Sequence, residues 1–225
     1  MTVLSLIPSA ARAQQTIFNV PSADLTEEGA VYLEHESQFR AWDSGRYWYG
    51  THYLAYGFGH HTEGDLTLYN LTSPASDNVS LGMGIKSILP LLKEAHPARD
   101  MRWTAGSQAL ISLEGNGVGF WGYSHLSGRL FSGRTRLSAG ASGGTRQLFG
   151  RGTVHFIAGV EQGINGRVSL IADWFSGKHG LGFFTSGVSV ALPRWSATLF
   201  LGYQIPNDSA TAGRQGLTFE LAKFL

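Results

Sequence analysis

Two short stretches carry a histidine and a serine two positions apart: His35 and Ser37 in E-H-E-S, and His125 and Ser127 in Y-S-H-L-S-G-R. On an extended chain, residues i and i+2 share a face. Each pair could therefore set an imidazole beside a hydroxyl, the arrangement that activates serine for acyl transfer. Neither pair has an evident Asn or acid nearby to orient the histidine, and the plainer reading of both is an interfacial histidine. His60-His61 ahead of Glu63 reads as a turn, because adjacent residues on a strand face opposite ways. The eight histidines show no metal-ligand spacing. The glycine runs Gly143-Gly144 and Gly115-Asn116-Gly117 lack the phosphate-loop pattern and its lysine. No cofactor and no metal is expected.

A second set of chemically active residues is dispersed along alternating segments. It comprises Glu34, Glu36, Arg40, Glu63, Asp65, Lys86, Arg102, Arg134, Arg136, His155, Glu161, Arg167, Asp173 and Glu220. Their meaning depends on what the segments build.

The chain has 225 residues, 43% apolar but only 15% charged, with 30 glycines and 12% aromatics. The charged fraction is low against roughly 25% for soluble domains. Net charge is +1 and the 17 basic residues are scattered singly, so nucleic-acid binding is set aside. With no cysteine, disulfides, thiolate metal sites and cysteine nucleophiles are excluded. Val3–Ile7 is a short apolar run, and Ala11-Arg12-Ala13 before Gln14 fits a small-x-small cleavage site. Residues 1–13 are read as a residual signal peptide, 14–28 as a periplasmic N-terminal segment, and 29–225 as one domain.

That domain alternates almost throughout. R-V-S-L-I-A-D-W-F (167–175) sets Val168, Leu170, Ala172 and Trp174 against Arg167, Ser169, Ile171, Asp173 and Phe175. Twelve such strands are expected, at about 29–41, 46–60, 63–73, 78–89, 100–113, 117–127, 133–145, 152–162, 166–176, 181–192, 195–205 and 214–225. Polar loops follow odd strands and mostly tight turns follow even ones, with Asn165-Gly166 as the strongest two-residue hairpin signal. Pro90 interrupts one helix-like stretch, around 88–95, and Asp24–Gly29 reads as another short turn.

The polar faces are dominated by Gly, Ser, Thr and Ala with single charges, which suits a crowded lumen better than a water-facing sheet. The apolar faces place aromatics at strand ends: Trp48, Trp103, Trp174, Trp195 and Tyr203. A membrane interface holds amphipathic rings there. The fold class expected is all-β, a closed antiparallel transmembrane β-barrel of about 12 strands in an up-and-down meander. A soluble sandwich or lipocalin-like barrel is the alternative.

On the Ala11-Arg12-Ala13 site, the twelve strands and the terminal strand G-L-T-F-E-L-A-K-F-L, the sequence resembles a bacterial outer-membrane β-barrel protein. Leu217, Phe219 and Leu221 match the alternating terminal strand of that class, whereas Lys223 departs from it and Leu225 replaces the terminal aromatic. A-D-W-F-S-G-K-H also resembles a strand-loop motif of poorly characterised barrels. The resemblance implies outer-membrane localisation, contact with outer-membrane lipid, insertion by the barrel assembly machinery, and a monomer.

The dispersed charges would then point inward. Glu220, Glu34, Glu36, Glu63 and Asp65 form one wall, and Lys86, Arg102, Arg134 and Arg136 the other. Arg167 is expected to pair with Glu161. Opposed walls suit a small passive pore or uptake channel for a small polar solute. If the lumen is narrow, the same charges pair and fill a non-conducting structural barrel. The third alternative is a lipid-facing acyl hydrolase, since outer-membrane phospholipase A and lipid A deacylase carry a His-x-Ser pair. The Y-S-H-L-S-G-R stretch superficially resembles the phospholipase pattern.

Overall fold

The structure is a computed structural model, which describes residues 15–43, 47–73, 79–92, 100–130 and 133–225. The residual signal peptide, 1–13, lies outside the described residues. Twelve strands form: β1 Val31–Phe39, β2 Trp48–Gly59, β3 Thr62–Ser73, β4 Ser80–Leu92, β5 Met101–Ser112, β6 Val118–Leu130, β7 Thr135–Gly144, β8 Val154–Gly163, β9 Val168–Phe175, β10 Phe183–Leu192, β11 Ala197–Pro206 and β12 Gly216–Phe224. Each pairs antiparallel with its sequence neighbours, and β1 closes on β12 with Glu36 opposite Glu220. The fold is the closed twelve-strand meander that the alternation implies.

Closure leaves no unpaired sheet edge, so backbone donors and acceptors are satisfied within the sheet, as a lipid surround requires. The facing is inside out. Leu66, Met83, Ile85, Leu126, Leu170, Leu201 and Leu217 are exposed on the exterior, while Glu63, Lys86, Arg136, Asp173, Thr185 and Glu220 are buried within. An apolar exterior around a polar interior is stable in hydrocarbon and not in water.

The ends differ as expected, with local corrections. Asn165-Gly166 is not a two-residue turn. Four residues, 164–167, separate β8 from β9, and the Asn165 side chain accepts the N–H groups of Arg167 and Val168. The tight hairpin sits instead at His60-His61, where both residues take positive φ, 50° and 59°, as a type I′ turn demands. Pro90 does not end β4. The strand runs on to Leu92 through a register irregularity between Pro90 and Leu92, which is how a sheet tolerates a residue without an N–H. Two polar loops carry short helices, α1 (Arg146–Phe149) and α2 (Ser209–Ala212).

Candidate functional site

The lumen is occupied by the chain itself. Residues 14–28 are expected outside the barrel, yet from Gln15 to Thr26 this segment lies inside it, and only Glu27 and Glu28 are exposed at its end. Gln15, Ile17, Phe18, Val20, Ser22 and Ala23 are all under 5% exposed. The segment folds back on itself as a small hairpin, with Thr16 bridged to Pro21, Ile17 N–H donating to Val20 O at 2.8 Å, and Ser22 N–H donating to Gln15 O at 3.0 Å.

Three anchors fix it. At the hairpin tip, one oxygen of Asp173 accepts the backbone N–H groups of Phe18, Asn19 and Val20 at 2.9, 2.6 and 2.7 Å. Converging amides of this kind form an anion nest, here closed on a wall carboxylate. Gly159 stands opposite Asp173 in the β8–β9 register, and a Cβ there would collide with the Ile17 side chain. One wall position thus holds the tip and its neighbour makes room for it.

The second anchor is Gln15. Its amide donates to Glu63 at 2.9 Å and to Thr26 at 2.7 Å, while Lys86 donates to the Gln15 side-chain oxygen. Lys86 and Glu63 pair at 2.8 Å across β3 and β4, and Glu63 also takes the Thr26 N–H at 2.6 Å. The third anchor is Asp24. Both its oxygens meet the Arg136 guanidinium at 2.7 and 2.6 Å, and Arg136 also binds Glu161 at 2.8 and 2.7 Å. Arg102 reaches Asp24 at 3.4 Å and donates to Ala23 O at 2.9 Å. Burial alone would push the Asp24 carboxyl up. Arg136 beside it, with Arg102 and Arg129, outweighs burial and holds it well below the usual carboxylate range.

Apolar contacts fill the rest. Ile17 and Phe18 join Tyr32, Ala55, Ile171, Phe200 and Ala222 in one buried cluster, and Val20 joins Trp121, Phe149, Ile157 and Phe175 in another. Apart from Phe149, which comes from the loop helix α1, these wall residues stand on the lumen face, where the sequence pattern emphasised small polar residues and charges.

The expected lumen residues divide accordingly. Glu63, Lys86, Arg102, Arg136, Glu161 and Asp173 are brought together by the segment. Glu34, Glu36, Asp65 and Glu220 point inward: Glu34 accepts from Tyr32, Glu36 from Gln38 at 2.7 Å, and Asp65 from Gln108 at 2.6 Å. The Glu220 carboxylate accepts no hydrogen bond among the described residues. Arg40 is buried at the loop end, donating to Ala212 O at 2.6 Å. His155 also lies at that end, its ring tilted at 52° against that of His179 with centroids 4.2 Å apart; burial lowers the His179 pKa.

Two residues are misplaced by the sequence reading. Arg134 and Arg167 are exposed in the short connections before β7 and β9, because each strand begins two residues later than the alternation suggests. Glu161 therefore pairs with Arg136 rather than Arg167. The uninterrupted acidic and basic walls are replaced by pairs bridged through Gln15 and Asp24.

The aromatics sit near the strand ends. Trp103, Trp174 and Trp195 are 43%, 40% and 69% exposed, whereas Trp48 and Tyr203 are half-buried. His125 and Ser127 point into the lumen, 2% and 4% exposed, so this pair does not meet lipid and neither His125 nitrogen bonds Ser127. His35 and Ser37 stand on the exterior, with His35 Nε2 2.9 Å from Ser37 Oγ.

No protein-family model matches the chain, and no curated protein matches it. Among solved structures it is similar to the KdgM porin in complex with disordered oligogalacturonate, at 9% identity and a TM-score of 0.53, with 86% of this chain and 98% of that chain covered. It is also similar to the NanC porin, at 10% identity and a TM-score of 0.58, with 84% and 97% covered. At such identities the likeness is one of fold: this chain, a closed barrel of twelve strands, shares the barrel architecture of these outer-membrane porins.

Proposed function

We propose that the protein is a bacterial outer-membrane barrel that passes a small polar solute passively, and that its N-terminal hairpin is the stopper of that passage. The observation that carries this reading is the position of Asp24. A carboxylate supplied by the segment, not by the wall, occupies two wall guanidiniums, Arg102 and Arg136. When the segment leaves, Arg136 keeps Glu161 but both arginines gain free donors, and Lys86 loses Gln15. A basic track across β4, β5 and β7 then faces water. Such a track favours a carboxylated solute by charge-assisted hydrogen bonds. The fold shared with a porin in complex with disordered oligogalacturonate supports acidic oligosaccharides as the solute class.

The second reading is a permanently filled structural barrel, favoured by the two apolar clusters that join Ile17, Phe18 and Val20 to the wall. Liposome swelling separates the two. A variant carrying Asp24→Ala and Asp173→Ala should admit uronic acid oligosaccharides faster than neutral ones, and faster than the unaltered chain does. A folded variant that admits neither supports the filled barrel.

A further inference from the structure

The exterior of β1 and β2 carries a constellation that the lumen does not use. His35 and Ser37 lie on the lipid side of β1, flanked by Leu33 and Phe39, which are 37% and 45% exposed. His35 is aligned with His52 on β2, and Ser37 with Gly50. Three polar contacts link them. His35 Nε2 is 2.9 Å from Ser37 Oγ, His35 Nδ1 is 3.4 Å from His52 Nδ1, and Trp48 Nε1 donates to Ser37 Oγ at 3.1 Å.

One tautomer assignment satisfies all three. Ser37 O–H donates to His35 Nε2, His35 Nδ1–H donates to His52 Nδ1, and His52 holds its own proton on Nε2. The hydroxyl is thereby aimed at a base whose far nitrogen is held by a third group, the relation that activates a serine. The sequence alone lacks this third group because His52 reaches His35 only through the cross-strand register.

Gly50 completes the arrangement. A Cβ at that position would come within 2.8 Å of the Trp48 indole. Its absence lets the ring lie across β2 and bring its N–H to the serine. Ser37 is 5% exposed, so an incoming ester enters beside the indole. Beyond His35 and His52, an exterior groove of about 470 Å³ runs away from the loop end between Leu33, Leu54, Leu66 and Leu221. Ser37 lies two residues from the loop end of β1. An acyl chain hanging from an ester at Ser37 would descend along these leucines, as it does in a leaflet.

We propose that Ser37 is the nucleophile of a lipid-facing acyl-ester hydrolase, with His35 as its base, His52 as the residue that positions His35, and the acyl ester of a membrane lipid as substrate. Ser37 Oγ bonds to the ester carbonyl carbon while its proton passes to His35 Nε2. The Trp48 N–H, 3.1 Å from Ser37 Oγ, is the donor within reach of the oxygen that becomes negative. The ester C–O bond breaks, and the alkoxide leaves with the proton from His35. Water then adds to the acyl-serine, giving its proton to His35. The Ser37 ester bond breaks, Ser37 recovers its proton, and a fatty acid departs. None of these steps requires the lumen to be open.

The test uses the full chain folded in mixed micelles. One arm contains diacyl phosphatidylethanolamine and a second an acylated glucosamine lipid; together they identify the lipid source. A fluorophosphonate probe should label Ser37, as mapped by peptide mass. Free fatty acid should appear in at least one arm and fall by about 100-fold or more in Ser37→Ala and His35→Ala. His52→Ala should lower kcat with KM little changed, and His52→Asn should recover part of it. The proposal is overturned if a folded, heat-modifiable barrel neither takes the label nor releases fatty acid. Release that persists in Ser37→Ala overturns it equally. Conductance is a separate readout, so failure here leaves the channel reading standing.

Discussion

Asp24 and Arg136 meet inside the barrel in a two-point pair at 2.7 and 2.6 Å, joining the N-terminal segment to β7. Arg136 is 6% exposed at its side chain and is shared with Glu161. A guanidinium at the centre of two carboxylates is costly to remove, because both anions are left without their partner.

Arg136→Met should therefore destabilise the barrel by about 3–5 kcal/mol. Asp24→Asn should cost less, since Glu161 still holds the arginine. Urea titrations in detergent, followed by loss of heat-modifiable mobility, would rank the two. Equal losses would mean that the segment, not Glu161, is the main partner of Arg136.

The same pair fixes a pH dependence. The Asp24 carboxyl lies below its ordinary value of 3.8 in the folded protein. Its contribution is therefore fully present above that ordinary value and is lost only as pH falls through the lower folded value. The Asp24 anchor should hold unchanged from pH 7 to pH 5. The chain has no cysteine, so a single Ser22→Cys reports docking by its thiol-labelling rate, with measured rates corrected for thiolate fraction. A rise in corrected labelling at pH 5 that Asp24→Asn abolishes would contradict this assignment.

Gly159 is a place to dislodge the hairpin without touching a charge. A side chain there collides with Ile17, so Gly159→Leu should push the tip off Asp173. Hydrogen exchange at the Phe18, Asn19 and Val20 amides should accelerate by at least about tenfold while strand amides stay protected. Uniform acceleration would show instead that the hairpin and the wall unfold together.

The fold was legible because alternation has one period and the barrel uses it everywhere. All twelve strands form, and the exterior sets such as Leu217 and Leu221 or Met83 and Ile85 point outward as read. Turn chemistry was less legible. Asn165-Gly166 carries the favoured dipeptide, yet the Asn165 side chain captures two amides and makes a longer turn, while His60-His61 takes the tight one.

The lumen was only half legible. Its charges could be collected by parity, but parity does not say what they meet. The signal for an internal segment lay in apolar residues on the polar parity: Ile171 and Phe175 on β9, Phe200 on β11. A watery lumen has no use for them. They read as exceptions until Ile17, Phe18 and Val20 are seen packed against them. His52 was illegible as a partner of His35 for a similar reason, since cross-strand register is set by turn length and strand ends rather than by spacing along the chain.

The proposed closure of this barrel by its own N-terminal hairpin has a direct electrical consequence. Single-channel conductance in planar bilayers tests it most directly, comparing the unaltered chain with one carrying Asp24→Ala, Asp173→Ala and Gly159→Leu. The unaltered chain should be nearly silent with rare brief openings, and the triple variant should show steady openings with a preference for anions. A folded triple variant as silent as the unaltered chain, or an unaltered chain that conducts steadily, would contradict the account.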